Sequence, residues 1–421
     1  MRKQRILCCA TWLCLASGAL AADASRWVST WATAQQMPPA ARGGGRGGGG
    51  RGGGGRGPNA NNLPEQFSDQ TVRMIVRASL GGSQARVTLS NMTGAQPVAI
   101  GSVHLALHKS AGEIVGGSDH ALTFGGLTSF SIQPGVQAVS DPVELTVAPL
   151  TEFAVSLYLP KDTGPPTNHM ISLRTGYVAK GDTAAAPSMP ADATNLYAFP
   201  WLASVDVLAP PKALSIVTLG DSITDGYGTT RDAYKAWPTL LAQRLNASKS
   251  TQNVGVLNMG ISGNQVLRDG AGIAALARFD RDVLSWPGVK WVVLLEGIND
   301  INIRGRNESP ESLTAEELIW GYKQIIARCH AHEIKVMGAT IMPEEGVPTA
   351  SPRGEAIRLK VNEWIRAKGN FDGVIDFEAV VRDPQHPARI RADFDPGDHI
   401  HPNDAGNQAM ADAFDLKLFT K

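Results

Sequence analysis

Residues 213–222 read Ala-Leu-Ser-Ile-Val-Thr-Leu-Gly-Asp-Ser. The run from Ala213 to Leu219 is almost continuously apolar, the pattern of a strand covered on both faces, where a half-exposed strand would alternate. Gly220-Asp221-Ser222 then breaks the run with turn residues. The same cadence repeats downstream. Trp237–Asn246 carries Leu240, Leu241 and Leu245 at helical spacing. Val254–Leu257, Trp291–Leu295, Ile334–Ala339 and Val374–Phe377 read as further strands. Gly272–Leu284, Thr314–His332, Glu355–Lys368 and Asp404–Phe419 read as helices between or after them. Buried strands alternating with amphipathic helices predict an α/β domain, a flavodoxin-like doubly wound parallel sheet of roughly five strands.

Upstream the period is different. From Thr71 to about Leu159 short alternating runs (Val72–Val76, Val87–Leu89, Val103–Leu107, Val143–Val147, Phe153–Leu159) are punctuated by Gly81-Gly82, Gly94, Gly116-Gly117, Gly125-Gly126 and Pro134-Gly135. Such spacing predicts an all-β, sandwich-like domain. Trp27–Ala34 adds a candidate strand ahead of residues 42–58, a Gly/Arg run with nothing to bury, expected to be disordered. Residues 184–211, rich in Ala and Pro, read as a linker. Arg2, Lys3 and Arg5 precede an apolar stretch from Ile6 to Leu20 that ends in Ala19-Leu20-Ala21, the layout of a secretory signal peptide. The expected organisation is therefore a signal peptide at 1–21, a β domain at 22–183, a linker at 184–211 and an α/β domain at 212–421. It implies a secreted or periplasmic product with no stable membrane insertion, since no segment is long enough to span a bilayer.

Lys+Arg and Asp+Glu both total 39, so no global field draws the chain to nucleic acid. Loss of the leader would leave a net charge of about −3. Of the cysteines, Cys8, Cys9 and Cys14 leave with the leader. Only Cys329 remains; it sits at helical spacing from Leu318, Tyr322, Ile325 and Ile326, so it reads as a buried small hydrophobe with no intrachain partner.

In an open parallel sheet, chemistry collects at the carboxyl ends of the strands. After the first strand comes Gly220-Asp221-Ser222-Ile223-Thr224-Asp225-Gly226, with Ser222 at the strand-to-helix turn. A phosphate-binding loop would need Lys-Ser/Thr after the last glycine, but Tyr227 follows. After the second comes Asn258-Met259-Gly260-Ile261-Ser262-Gly263, where a glycine lets backbone N–H approach a substrate. After the third comes Glu296-Gly297-Ile298-Asn299-Asp300, offering a side-chain amide. Before the last helix comes Asp398-His399-Ile400-His401-Pro402-Asn403, whose spacing lets a carboxylate hold one imidazole nitrogen and leave the other as a base.

Together these segments resemble the SGNH hydrolases, the GDSL esterase/lipase family, in its secreted bacterial form with an N-terminal β-rich domain. The family is named for Ser, Gly, Asn and His in separate blocks, matched here by Ser222, Gly260, Asn299 and His401; the first block reads GDSI where the family name has GDSL. The resemblance covers about half of the chain, from Pro211 onward. It implies a serine esterase with Ser222 as nucleophile, His401 as base and Asp398 as its orienting acid. The oxyanion would be held by the N–H groups of Ser222 and Gly260 and the amide of Asn299. No metal or cofactor is called for. The expected substrates are small-molecule or polysaccharide esters with short acyl groups, plausibly acetyl esters of plant polysaccharide. The alternatives are a lipase or arylesterase on longer acyl or aryl esters, and a non-catalytic carbohydrate-binding protein. Oligomeric state is not encoded in these patterns.

Other chemistry-bearing residues read as structural. His399 should point away from Ser222. Asp393 and Asp395 are candidate acids at a spacing the family does not use. Asp221 and Asp300 should brace their turns. His330 and His332, two positions apart, do not share a helix face, so with Glu333 they read as a solvated helix end and not a metal cluster. Arg268 and Asp269 have no direction fixed by pattern.

Overall fold

The computed structural model describes residues 25–36 and 61–420; the expected leader and the Gly/Arg run lie outside these residues. The five α/β strands form one sheet in the order Val254–Gly260, Leu214–Gly220, Val289–Leu295, Lys335–Ala339, Gly373–Ile375, every neighbouring pair parallel. The first strand in sequence thus lies between the second and third. Chain leaving it can cross in either direction, which opens a crevice at its carboxyl end. Register makes that crevice compact: Gly220 is opposite both Gly260 and Leu295, so three strands end at one level.

The core explains the continuous apolar runs. Val217, Leu219, Leu257, Val292 and Val293 are fully buried in the sheet, and Leu241, Ile325 and Val361 cover it from helices Trp237–Asn246, Ala315–Ala331 and Pro352–Arg366. The helix starts follow local chemistry. Thr314 and Ser351 cap their helices by accepting from Glu317 N–H and Gly354 N–H. Two expected helices are shorter. The 272–284 segment is α-helical only over Ala275–Phe279 and finishes as a π-helical turn, Asp280–Leu284. The last helix stops at Asp412 and resumes as a 3-10 turn at Leu416–Thr420.

The N-terminal region is built on two large antiparallel sheets around a shared core, with two two-stranded ribbons beside them. One has the order Arg26–Ala32, Leu202–Ala209, Ala85–Ser90, Gln137–Val139. The other is built on Gln70–Arg77, Glu152–Leu159 and Ser102–Ser110, with Gly176–Lys180 and Thr194–Leu196 at one edge. The reading of 184–211 as a linker is corrected here. Leu202–Ala209 is a central strand between Arg26–Ala32 and Ala85–Ser90. Both of its faces are buried: Leu202, Val205 and Val207 fill the β core, while Ala203 joins the α/β core and Asp206 accepts from Ser29 and Arg86. Val143–Val147 is not a regular strand. Only Val143 and Val147 bridge, to Ala85 and Gly82, because the intervening Ser83 and Gln84 pair with Leu208 instead.

The two units are joined along the first strand. Arg26–Ala32 pairs inside the β unit, and the chain then continues so that Thr33 bridges Asn258 at the edge of the parallel sheet. Ser215 Oγ donates to Ser29 O (2.7 Å), Ser29 N–H to Pro287 O (3.0 Å), and Asn246 Nδ2 to Ser79 O (2.6 Å). Among the described residues no helix is long and apolar enough to cross a membrane.

Candidate active site

Ser222 opens a single helical turn, Ser222–Asp225. Asp221 caps it by accepting from Ile223 N–H at 2.9 Å, and Gly226, at φ 100°, closes it by donating to Ser222 O. So short a turn leaves the Ser222 N–H without an intrahelical acceptor. Ser222 Oγ lies 2.8 Å from His401 Nε2, and His401 Nδ1 lies 2.7 Å from Asp398 Oδ2. These residues are 179 positions apart in sequence and meet because the 398–403 turn runs into helix Asp404–Asp412, capped by Asn403. The other Asp398 oxygen accepts from the N–H groups of Ile400 (3.1 Å) and His401 (3.0 Å). Partial burial pushes the Asp398 carboxyl upward, but the bonds from the His401 ring and backbone outweigh it and hold the group at about 2. The Tyr227 ring packs 4.5 Å from that of His401 and limits its swing.

The glycine segment is arranged differently from expectation. Gly260 N–H already donates to Asn258 Oδ1 at 2.9 Å, so it does not face the crevice as a free donor. What Gly260 supplies is space: a Cβ there would overlap the backbone N of Asp225, so its absence lets the Ser222 turn lie against the strand. Gly263 has the free donor. It sits at φ 77°, in the left-handed region, and its N–H donates to no protein group among the described residues. The loop is pinned on either side by Ser262, whose N–H and Oγ both donate to Asp225 Oδ2 (3.1 and 2.8 Å), and by Asn264 N–H on Ile261 O. Asn299 Nδ2 donates one hydrogen to Asn264 O at 2.9 Å, leaving its second. Both glycines stand in the segment quoted above. The clue to their different parts was Asn258, which two positions before Gly260 can close an Asx turn on its N–H.

Beneath the crevice lies a charged layer the sequence reading missed. Arg278, fully buried, donates to Asn264 Oδ1 (2.9 Å), Met259 O (2.8 Å), Gly220 O (3.1 Å) and Asp282. It thereby ties the ends of the first two strands to the glycine loop. Asp300 accepts from Val266 N–H and Leu267 N–H, bracing the neighbouring loop as well as its own turn, and burial pushes its carboxyl up to about 6. Burial also raises Asp221 and Glu296, with neighbouring carboxylates adding to it: Asp300 and Asp225 act on Asp221, and Asp221 and Asp300 on Glu296.

The remaining candidates resolve simply. His399 faces Asp395 at 2.6 Å, and Asp393 pairs with Arg391, so neither acid serves His401. His330 pairs with Asp372, and among the described residues no cluster of three His, Cys, Asp or Glu could hold a metal. Arg268 reaches only Glu311 at 4.0 Å, and Asp269 accepts from Ala274 N–H. Cys329 is buried, its thiol pushed up to about 12.

Residues 218–409 match the family model described as "GDSL-like Lipase/Acylhydrolase family". This part of the chain is a GDSL-like acylhydrolase domain, and the protein is a carboxylic ester hydrolase. Among solved structures, an acetyl xylan esterase from Geobacillus stearothermophilus is similar at 23% identity over 49% of this chain and 94% of that one, with a TM-score of 0.38. The aryl esterase of M. smegmatis is similar at 18% identity over 48% and 96%, TM-score 0.38. A carbohydrate acetylesterase from Sinorhizobium meliloti is similar at 15% identity over 47% and 94%, TM-score 0.37. No curated protein matches the chain at a significant level.

Proposed function

We propose that this hydrolase works through an acyl-enzyme on Ser222. The reading rests on one observation above the others: the unbroken relay from Ser222 Oγ to His401 Nε2 and from His401 Nδ1 to Asp398. With Nδ1–H given to a carboxylate, Nε2 carries the lone pair and accepts from the serine hydroxyl. As Oγ attacks an ester carbonyl, its proton passes to Nε2, and Asp398 stabilises the imidazolium. The tetrahedral oxyanion is held by Ser222 N–H, Gly263 N–H and Asn299 Nδ2, with Gly263 taking the part expected of Gly260. His401 then protonates the leaving alkoxide. Water, deprotonated by the same nitrogen, attacks the acyl carbonyl and releases the acid and Ser222.

The substrate reading is a short acyl ester, with acetylated polysaccharide the favoured source. Three cavities, of about 110, 420 and 300 Å³, lie elsewhere, lined by none of Ser222, Asp398 or His401. Export under a signal peptide and a flavodoxin-like, doubly wound hydrolase domain at 212–421 belong to the same proposal. The β domain extends through Ala209, and the boundary narrows to the few residues after it.

A fluorophosphonate should label wild-type protein at Ser222 and leave folded Ser222→Ala unlabelled. A panel of nitrophenyl esters of rising chain length, beside acetylated xylan, tests the acyl preference; rates rising steadily with chain length would favour the lipase alternative. An unlabelled Ser222 in folded wild type would favour the binding-protein alternative.

A further inference from the structure

A second buried histidine–carboxylate pair crosses the joint between the two units. His169 belongs to the short strand Asn168–His169 of the β unit, and Asp225 ends the Ser222 turn. Both are almost fully buried. His169 Nδ1 lies 2.8 Å from Ala34 O, and its Nε2 lies 3.0 Å from Asp225 Oδ1. A carbonyl oxygen only accepts, so Nδ1 must carry a hydrogen. Nε2 can then bond a carboxylate only if it carries one as well. With Asp225 ionised, the geometry describes an imidazolium. Burial works against that charge, but the Asp225 carboxylate outweighs it and raises His169 above an ordinary histidine, with Arg278 the opposing cation.

Asp225 is the acceptor for both sides. Its Oδ1 receives His169, and its Oδ2 receives the N–H and Oγ of Ser262, the residue before Gly263. We propose that His169 of the β unit is a positioning residue for ester hydrolysis: as an imidazolium it fixes Asp225, which aims the Ser262-Gly263 loop and its N–H at the oxyanion. This deepens the proposed function and rests on the acyl-enzyme reading. It assigns the β unit a part in turnover besides packing. A carboxylate without His169 would sit buried and uncompensated, free to turn away from Ser262. The anion donors act only if held in place before the reaction, so a loop shift of a fraction of an ångström lowers kcat more than substrate binding.

The geometry also supplies the test. His169 and Asp225 line the cavity of about 110 Å³ between the units, next to the space that His169→Ala would vacate. Added imidazole can enter there and replace the lost ring. In the full chain, His169→Ala should lower kcat for nitrophenyl acetate about tenfold to a hundredfold with KM changed less than about threefold. Imidazole at millimolar concentration should restore most of it. Asp225→Asn should lose kcat similarly and gain nothing from imidazole. Wild-type kcat in folded His169→Ala, or a loss that imidazole does not move, would overturn the proposal. If His169→Ala does not fold, His169→Gln, which keeps one N–H toward Asp225, and Asp225→Asn decide instead: wild-type kcat in both overturns it, and a graded loss supports it. Fluorophosphonate labelling separates the two readings. Unlabelled wild type removes the acyl-enzyme; labelling of wild type and His169→Ala at equal rates removes only the role of His169.

Discussion

The molecule holds two buried or half-buried histidine–carboxylate pairs within reach of the same helical turn, and they are wired oppositely. At the 398–401 turn, His401 gives Nδ1–H to Asp398 and turns Nε2 to a hydroxyl. At the joint with the β unit, His169 gives Nδ1–H to a carbonyl and turns Nε2 to a carboxylate. The first ring keeps a lone pair and can take a proton. The second has none to offer and can act only as a charge. What decides the role of each imidazole is the atom facing its second nitrogen, and that atom comes from a distant part of the chain.

The sharpest way to break this contrast is at Ser222. Ser222→Ala should lower kcat by at least about a thousandfold with an unchanged melting temperature, because the ring at 401 then has no proton to accept. Retained hydrolysis in a purified, folded sample would end the distinction between the pairs. Asn299→Ala should come next: with its amide among the donors that hold the oxyanion, as proposed, kcat falls about a hundredfold with little change in KM. Near-normal kcat would remove Asn299 from that set.

Gly260→Ala tests the other half of the comparison, the packing that brings Asp225 to the loop. Its added methyl meets the Asp225 backbone, so it should destabilise the fold by about 1–3 kcal/mol, read as a lower melting temperature. An unchanged melting temperature would mean that the turn has room to move. The mildest effect is expected at the exposed pair two residues from the base. His399→Ala breaks a contact to Asp395 that is open to solvent and should leave kcat within about twofold and stability within about 1 kcal/mol.

Acid titration sharpens the His401 pair further. The carboxyl of Asp398 is held at about 2 against an ordinary 3.8. A depressed carboxyl contributes its stabilisation fully above the ordinary value and loses it as pH falls through the depressed one. The 398–401 turn should therefore stay formed down to about pH 4 and loosen toward pH 2, which His401 ring resonances can follow. Loosening that begins near neutrality would contradict the bonds seen at Asp398.

Much of this was readable in the amino-acid order. Local patterns pointed to a strand over 213–219, found at Leu214–Gly220, and to helix Trp237–Asn246, because apolar period is a short-range signal. That Ser222, Asn299, Asp398 and His401 belong together was implied by the resemblance of their separate blocks to one family. Three features needed the folded chain. Leu202–Ala209 reads as part of a connector because the Ala and Pro content of 184–211 hides the Ser204-Val205-Asp206-Val207 alternation, and only its pairing with strands far away in sequence makes it central. Gly260 and Gly263 stand in one segment, but only the bond from Gly260 N–H to Asn258 assigns them different parts. His169, in a region that carries no motif, gains meaning solely from Ala34 and Asp225 on either side of its ring. Propensity and pattern act over a few residues; which donor meets which acceptor is settled by packing across the whole molecule.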